Sequence, residues 1–173
     1  MTARVVVFSG PPCSGKSTLA ARLAAKLGVP HLSMDDTRAR LLPQAAHTRA
    51  DRRVAYRAMA FAAELLAGCG RDVILDAPYA HAEDRRELAR FPLYLVECAV
   101  SPREALARFA QRDQRHPGMA GLTPERVEML VREFPYTGKG LLLDTDGAQP
   151  GECMERIERY LDAGRPVAPG EWS

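Results

Sequence analysis

Short apolar runs alternate with longer amphipathic segments along most of the chain. The runs have the length and the aliphatic composition of buried strands, and they lie at residues 4–9, 29–34, 72–76, 91–100 and 141–144. A strand followed by a helix before the next strand is the repeating unit of a parallel sheet. The pattern therefore predicts an α/β fold with a parallel sheet of about five strands and helices on both faces.

The segments between these runs predict helices, several of which carry end signals. They lie at residues 17–27, 35–42, 48–67, 82–90, 102–112, 123–134 and 151–161. Gly28 is placed as a C-cap glycine for the first helix, and Asp35 or Asp36 as the N-cap of the second. In the third helix we expect the larger apolar side chains to face the core, namely Val54, Met59, Phe61, Leu65 and Leu66.

Glycine and proline mark two irregular stretches. Residues 116–121 interrupt the helical pattern, and the region of approximately 108–121 is expected to form a mobile lid. The tail from residue 164 is expected to be loose. No internal repeat or linker divides the chain, so residues 1–173 are expected to form a single domain.

Composition excludes several classes of protein. The net charge of +2 and a charged fraction of 27% are ordinary and do not indicate nucleic-acid binding. The four cysteines are widely spaced and indicate neither a zinc site nor a disulfide framework. No apolar run has the length of a membrane span or the form of a signal peptide. We therefore expect a cytoplasmic protein that has no membrane partner.

The strongest motif begins where the first apolar run ends. It matches G-x-x-x-x-G-K-[ST], and it lies between a predicted strand and a predicted helix, as a phosphate-binding loop requires. Its residues are the candidate ATP-binding residues Gly10, Pro11, Pro12, Cys13, Ser14, Gly15, Lys16, Ser17 and Thr18. In such a loop Lys16 reaches the β- and γ-phosphates and the Ser17 hydroxyl binds Mg²⁺. ATP and Mg²⁺ are thus the expected cofactors.

Two carboxylates follow the next predicted strands. Asp35 comes after the second strand and Asp76 ends the third. Ligands of an open parallel sheet bind beyond the carboxyl ends of its strands. If the three strands are neighbours, both carboxylates face the γ-phosphate across one crevice. Asp76 has three open roles: it can hold Mg²⁺ through water, contact an acceptor, or only end a strand.

The phosphate loop and the segment Met34–Arg38 together resemble small P-loop kinases of the nucleotide-kinase superfamily. The resemblance is greatest to the group of polynucleotide 5′-kinase, chloramphenicol phosphotransferase and zeta-type toxins, which has an Asp-Asp-x-Arg element after its second strand. It implies that Asp35 is the general base on an acceptor hydroxyl and that Arg38 holds acceptor or phosphate. The motif register favours Asp35 over Asp36. Asp76, Tyr79 and Arg85 or Arg86 are candidates for the acceptor side.

Arginines after the fourth strand are candidates for phosphate contacts. Arg108 and Arg112 are four residues apart, which places them on one helical face, and Arg115 follows. The resemblance implies that lid arginines close over the phosphates, where a planar guanidinium suits phosphate oxygens. A solvated face paired with Asp113 is the alternative. The resemblance also places the loop 144–147 beside the adenine.

These features predict an ATP-dependent kinase, a phosphotransferase that acts on a hydroxyl group. A small-molecule acceptor (a nucleoside, sugar or antibiotic-like alcohol) is favoured, because the chain lacks strong positive charge and a clear aromatic platform. A nucleic-acid 5′ end is the alternative. An ATP-binding switch without phosphotransfer is a second alternative. A GTPase lacks support because no N-K-x-D element is present, and a remodelling ATPase is disfavoured by the length of the chain.

Overall fold

The structure is a computed structural model that describes residues 3–44, 48–112 and 121–172. Within these residues the strands are β1 (Val5–Ser9), β2 (His31–Ser33), β3 (Val73–Asp76), β4 (Leu93–Ala99) and β5 (Leu141–Asp144). The helices are α1 (Lys16–Leu27), α2 (Met34–Leu41), α3 (Arg49–Gly68), α4 (Ala82–Arg86), α5 (Pro102–Gln111), α6 (Pro124–Arg132) and α7 (Pro150–Asp162). The strands form one parallel sheet in the order β2-β3-β1-β4-β5.

Helices cover both faces of this sheet. Successive side chains of a strand point to opposite faces, so Val5 and Val7 of β1 pack with α3, whereas Val6 and Phe8 pack with α1 and α7. A third apolar cluster joins α5 and α6 to the loop after β1. The predicted fold class is confirmed. Among the described helices none is long and apolar enough to cross a membrane.

The elements occur in the predicted order, but the start of α2 differs from the prediction. Its N-cap is Ser33, whose hydroxyl accepts a hydrogen bond of 3.3 Å from the backbone N–H of Asp36. The prediction that Asp35 or Asp36 is the cap is wrong, because the helix begins directly at the end of β2. Both carboxylates instead lie in the first turn, where the helix dipole favours negative charge.

The buried face of α3 also differs from the prediction. Val54, Phe61 and Leu65 are 46%, 60% and 54% exposed, while Met59 is buried and Leu66 half-buried as expected. Size was a poor guide here, because small side chains let a helix lie close to a sheet. The residues that α3 buries are Ala55, Tyr56, Met59, Ala60 and Ala63.

The expectation of a loose tail is wrong. Val167 exchanges two backbone hydrogen bonds, of 2.9 and 2.7 Å, with Leu93 at the start of β4. Val167 and Trp172 are each buried in the core on the α3 side of the sheet. Apolar contacts thus hold a segment whose proline and glycine content suggested disorder. Most of the predicted lid, residues 113–120, lies outside the described residues.

We expect Gly140→Ala to destabilise the fold. A Cβ atom at Gly140 would lie 2.2 Å from the carbonyl oxygen of Leu95, and backbone of a central strand cannot move aside cheaply. Overpacking of this kind costs about 1–3 kcal/mol in free energy of unfolding. Urea unfolding measures the loss. Gly151→Ala is the matched control, because a Cβ at Gly151 meets no heavy atom within 4 Å in the first turn of α7. Equal midpoints for the two variants would contradict the expectation.

Candidate active site

The loop between β1 and α1 has the backbone of an anion-binding turn. Gly10 has φ of 154°, and a Cβ there would lie 2.6 Å from the carbonyl oxygen of Cys98. Gly15 has φ of 80° and Cys13 has φ of 62°. A non-glycine residue at positive φ is held there only by its surroundings and is often part of a functional site. At position 10, only glycine allows the loop to lie this close to the backbone of β4.

The N-terminus of α1 points its free amides at this loop. The N-cap Gly15 has no side chain with which to cap the first turn, so the N–H groups there remain available to a ligand. The helix dipole adds partial positive charge at the same place. Lys16 and Ser17 are the first two residues of α1. Amides, an ammonium group and a hydroxyl thus converge, a donor set that fits a polyphosphate.

Arg108 braces this loop from α5. Its guanidinium donates to the carbonyl oxygen of Cys13 at 3.2 Å and to that of Thr145 at 2.6 Å. Glu104, one turn earlier on α5, accepts from its Nε at 2.9 Å. The sequence predicted Arg108 on a helical face at the start of a mobile lid. The structure confirms the helix, but the Arg108 side chain contacts the carbonyl groups behind the loop. A fixed guanidinium at this position stabilises the strained Cys13 backbone.

Thr145 also supports the phosphate loop from behind, together with Arg108. The sequence did not single out this residue within the loop 144–147. It is 4% exposed, and its hydroxyl accepts from Arg108 at 3.1 Å. The same hydroxyl lies 2.9 Å from the carbonyl oxygen of Ala99 and 3.1 Å from that of Ser14. Thr145 follows β5 directly, and this position at the carboxyl edge of the sheet was the available signal.

Two cavities meet at the phosphate loop. The first, of about 390 Å³, lies on the α5 side and is lined by Thr18, Arg108 and Thr145 among others; we call it the α5 cavity. The second, of about 450 Å³, lies on the α2 side and is lined by Asp35, Asp76 and other residues of α2, α3 and α6; we call it the α2 cavity. Among the described residues, the cavities share only three lining side chains, which are Lys16, Ser17 and Arg112.

The two strand-end carboxylates lie in the same cavity. β3 is between β2 and β1, so Asp76 is paired with Ser33 on one side and Phe8 on the other. Asp35 lines the α2 cavity together with Asp76 and Lys16. Asp36 is exposed and lies outside that lining. Position in the cavity therefore separates the two neighbouring aspartates that the sequence motif left side by side.

Asp76 is a buried carboxylate that stays ionised. Burial alone would raise its pKa, but the His31 imidazole 3.7 Å away, the Lys16 ammonium and the Ser17 hydroxyl outweigh burial, and the pKa of Asp76 is lowered. Its Oδ1 is buried and has no hydrogen-bond partner within the described residues. An anionic oxygen left open beside Ser17 fits a hydrated Mg²⁺.

The remaining predicted arginines have different surroundings. Arg38 is 4% exposed and lines the α2 cavity. Arg112 is the C-cap of α5, with φ of −79° and ψ of 141°, so it lies just past the helix rather than on one helical face with Arg108. It nevertheless lines both cavities. Arg115 lies outside the described residues.

Several lining residues of the α2 cavity were not identified from the sequence. They come from the loops and helices after β2, β3 and β4, and they include Arg49, Arg52, Tyr56, His81, Asp84 and Arg126. Arg49 forms an ion pair of 2.9 Å with Asp84, which is 2% exposed. Helical arginines usually lie in solvent, so no sequence signal separated these from their neighbours.

Tyr79 and Arg85 were candidates for the acceptor side, but neither side chain lines the α2 cavity. Tyr79 is 2% exposed and lies behind the cavity wall, and Arg85 donates to backbone carbonyls of Tyr79, Ala80 and Trp172. Arg86 is exposed. The Arg85 guanidinium is therefore bound to backbone carbonyl groups rather than directed into the cavity.

The fold and this site define a P-loop nucleotide-binding protein. The family model described as AAA domain matches residues 5–134. An adenylyl-sulfate kinase from Deinococcus deserti is 42% identical over 169 residues, which cover 92% of each chain. The chain belongs to the family that this model describes. It is a P-loop kinase, because the relative that shares 42% identity over almost the whole chain is a kinase.

Solved structures of kinases have the same fold. A sugar kinase from Janibacter sp. HTCC2649 superposes with a TM-score of 0.72 at 20% identity, covering 96% of each chain. The Mycobacterium tuberculosis APS kinase, solved in complex with AMPPNP and APS, superposes with a TM-score of 0.69 at 22% identity, covering 93% of this chain and 98% of that one. The parallel-sheet architecture is therefore that of known P-loop kinases.

We expect Thr145→Val to weaken ATP binding and to lower stability. Valine keeps the shape but removes the acceptor of Arg108 and a donor to buried carbonyls, and such unmet groups cost about 1–3 kcal/mol each. Calorimetric titration with ATP measures the affinity, and thermal unfolding measures the stability. Thr145→Ser keeps the hydroxyl and should behave as wild type. Wild-type ATP affinity in the valine variant would contradict the role of the Thr145 hydroxyl in supporting the phosphate loop.

Proposed function

We propose that this protein is an ATP-dependent phosphotransferase that moves the γ-phosphate of Mg-ATP to a hydroxyl of a small-molecule acceptor, with Asp35 as general base. One observation carries the proposal: two cavities meet at the phosphate loop, and Asp35 lines only one of them. A kinase needs a nucleotide site and an acceptor site on opposite sides of the transferred phosphate. The α5 cavity takes the nucleoside, and the α2 cavity takes the acceptor.

The phosphates lie along the shared boundary. The amides of the loop and of the first turn of α1 bind them, and Lys16 neutralises their charge. The Ser17 hydroxyl would hold Mg²⁺, and Asp76 would hold it through water, a role that the lowered pKa and the unpartnered buried oxygen of Asp76 support. Bound Mg²⁺ supplies charge neutralisation for the phosphate oxygens. Arg112, which lines both cavities, stabilises the transferred group.

Asp35 orients the acceptor hydroxyl and takes its proton. A carboxylate at the acceptor side of the γ-phosphate is the group that this step needs. Arg38, buried on the next turn of α2, holds the acceptor or its phosphate-facing end. These roles are those implied by the polynucleotide-kinase-like group, and they are assigned here to this chain as part of the proposal.

The charges of the α2 cavity favour an anionic acceptor over a neutral one. Within the described part of the chain, its lining contains six cationic side chains, Lys16, Arg38, Arg49, Arg52, Arg112 and Arg126. It contains three carboxylates, Asp35, Asp76 and Asp84. The excess of cations remains after Arg49 is paired with Asp84. Adenylyl sulfate, named in the activity of the 42% identical relative, is a small anionic molecule with a free hydroxyl and is the first acceptor to test.

We expect a small anionic acceptor to stimulate ADP release from Mg-ATP. The panel contains adenylyl sulfate, nucleosides, sugars and sugar acids, aminoglycosides, chloramphenicol-like alcohols and a 5′-hydroxyl oligonucleotide. Lys16→Ala is the inactive control, because loss of the ammonium group removes phosphate binding. Stimulation by the oligonucleotide alone would establish the polynucleotide kinase instead. Tight ATP binding with no stimulation would support an ATP-binding switch.

We expect Asp35→Asn to abolish transfer while ATP affinity stays within about twofold of wild type, because a general base contributes about 10²–10⁴-fold to the rate. Stimulated ADP release gives the rate, and calorimetric titration gives the affinity. The matched control is Asp36→Asn, which makes the same change one residue away on the exposed side of α2. Full activity in Asp35→Asn would exclude Asp35 as the base.

A further inference from the structure

The C-terminal tail reaches the wall of the α2 cavity. After the backbone pairing of Val167 with Leu93, the chain continues to Trp172, which is 4% exposed. The Trp172 ring lies 5.2 Å from the ring of Tyr79, and Tyr79 lies 5.0 Å from Tyr56. Tyr56 itself lines the α2 cavity. Three aromatic rings thus form a continuous packed path from the tail to the cavity.

Hydrogen bonds join the same parts of the chain. Arg85 donates from Nε to the carbonyl oxygen of Trp172 at 3.0 Å, and from one terminal nitrogen to those of Tyr79 at 3.1 Å and Ala80 at 3.2 Å. The backbone N–H of Tyr79 lies 3.3 Å from the hydroxyl of Tyr56, which accepts from it. One guanidinium therefore connects the tail to the segment after β3.

Tyr79 needs this support because its backbone is strained. Its φ is 51°, a region that a bulky residue adopts only when its surroundings impose it. The Tyr79 hydroxyl and the Trp172 indole N–H are buried without a hydrogen-bond partner in the described part of the chain. Their orientation is therefore fixed by ring packing and by the backbone contacts of Arg85.

The segment that Tyr79 belongs to forms the cavity wall. Ala77, Pro78, Ala80 and His81 line the α2 cavity on either side of it. The carbonyl oxygen of Pro78 accepts from the hydroxyl of Ser9 at 2.9 Å and from the N–H of Gly10 at 3.4 Å. Residues 77–81 are thus attached to the phosphate loop at one end and to Trp172 at the other.

We propose that Trp172 is a positioning residue of the acceptor site: through Tyr79 and Arg85 it holds residues 77–81 at the distance from the phosphate loop that the acceptor requires. The inference rests on the proposed function only in taking the α2 cavity as the acceptor site. It predicts that loss of the indole opens the wall and weakens use of the acceptor, while the α5 cavity on the other side of the loop is unaffected.

The first test is hydrogen exchange of the 173-residue chain, measured by mass spectrometry. Trp172→Ala should accelerate exchange at residues 77–81 and at Gly10 by about tenfold or more, whereas α1 and α7 should exchange as in wild type. Trp172→Phe keeps a ring against Tyr79 and should restore most of the protection. Leu161→Ala is the control, because Leu161 is equally buried but packs in the cluster on the opposite face of the sheet.

The second test is kinetic and uses the acceptor that gives the largest stimulation of ADP release in wild-type protein. Trp172→Ala should lower kcat/KM for that acceptor by about ten- to hundredfold, as expected when a wall shifts by a fraction of an ångström to an ångström. The KM for ATP should stay within about twofold. Leu161→Ala should change neither the kcat/KM for the acceptor nor the KM for ATP, apart from its effect on the fraction of folded protein.

The outcomes separate this inference from the proposed function. If no acceptor stimulates wild-type protein, the proposed function fails, and the exchange experiment alone then decides the role of Trp172. Unchanged exchange at residues 77–81 in Trp172→Ala overturns the inference. So does faster exchange spread evenly over the sheet, or a rise in the KM for ATP as large as the loss of kcat/KM for the acceptor, because either result indicates an effect that is not confined to the acceptor site.

Discussion

The site depends on one constraint, which is that a strained loop must keep its backbone amides directed inward. Its amides can bind phosphate only if its carbonyl groups find partners behind it, since buried backbone groups that lack hydrogen bonds are costly. Arg108 satisfies the carbonyl of Cys13, and Thr145 lies beside the carbonyl of Ser14. Gly10 in turn lies against the backbone of β4, where a Cβ would not fit. The loop is therefore held from three directions before any nucleotide arrives.

The strand order gives this constraint its geometry. Because β1 lies between β3 and β4, the phosphate loop has Asp35 and Asp76 on its β3 side and Arg108 of α5 on its β4 side. The α5 side supplies fixed hydrogen bonds from Arg108, whereas the α2 side supplies charge, with more arginines than carboxylates. Asp76 lies on the α2 side next to Lys16 and Ser17, which line both cavities. His31, Lys16 and Ser17 lower the pKa of this carboxyl group and keep it ionised despite its burial. Under the proposed function, hydrogen bonds would dominate nucleotide binding in the α5 cavity, and charge would dominate acceptor binding in the α2 cavity.

Support for the α2 side comes from parts of the chain that are remote in sequence. The wall at residues 77–81 is backed by Tyr56 from α3 and by Trp172 from the tail. Aromatic rings suit this role because they bury a large area in fixed relative orientations. The positive φ of Tyr79 indicates that contacts with the rest of the chain hold the wall in a backbone conformation that is unfavourable for its own residues.

The sequence by itself determined the order and type of the elements, the phosphate loop and the positions of Asp35 and Asp76 at strand ends. These follow from local rules, namely periodicity, glycine at a required turn, and the rule that parallel strands present their carboxyl ends at one edge. It did not determine which face α3 buries, which residue caps α2, or that the tail packs. It identified Thr145 only as part of the loop 144–147, and it missed the arginines of α3 and α6. Each of these depends on contacts between segments distant in the chain, and only the tertiary structure decides such contacts, because side-chain type alone does not specify which neighbour it meets.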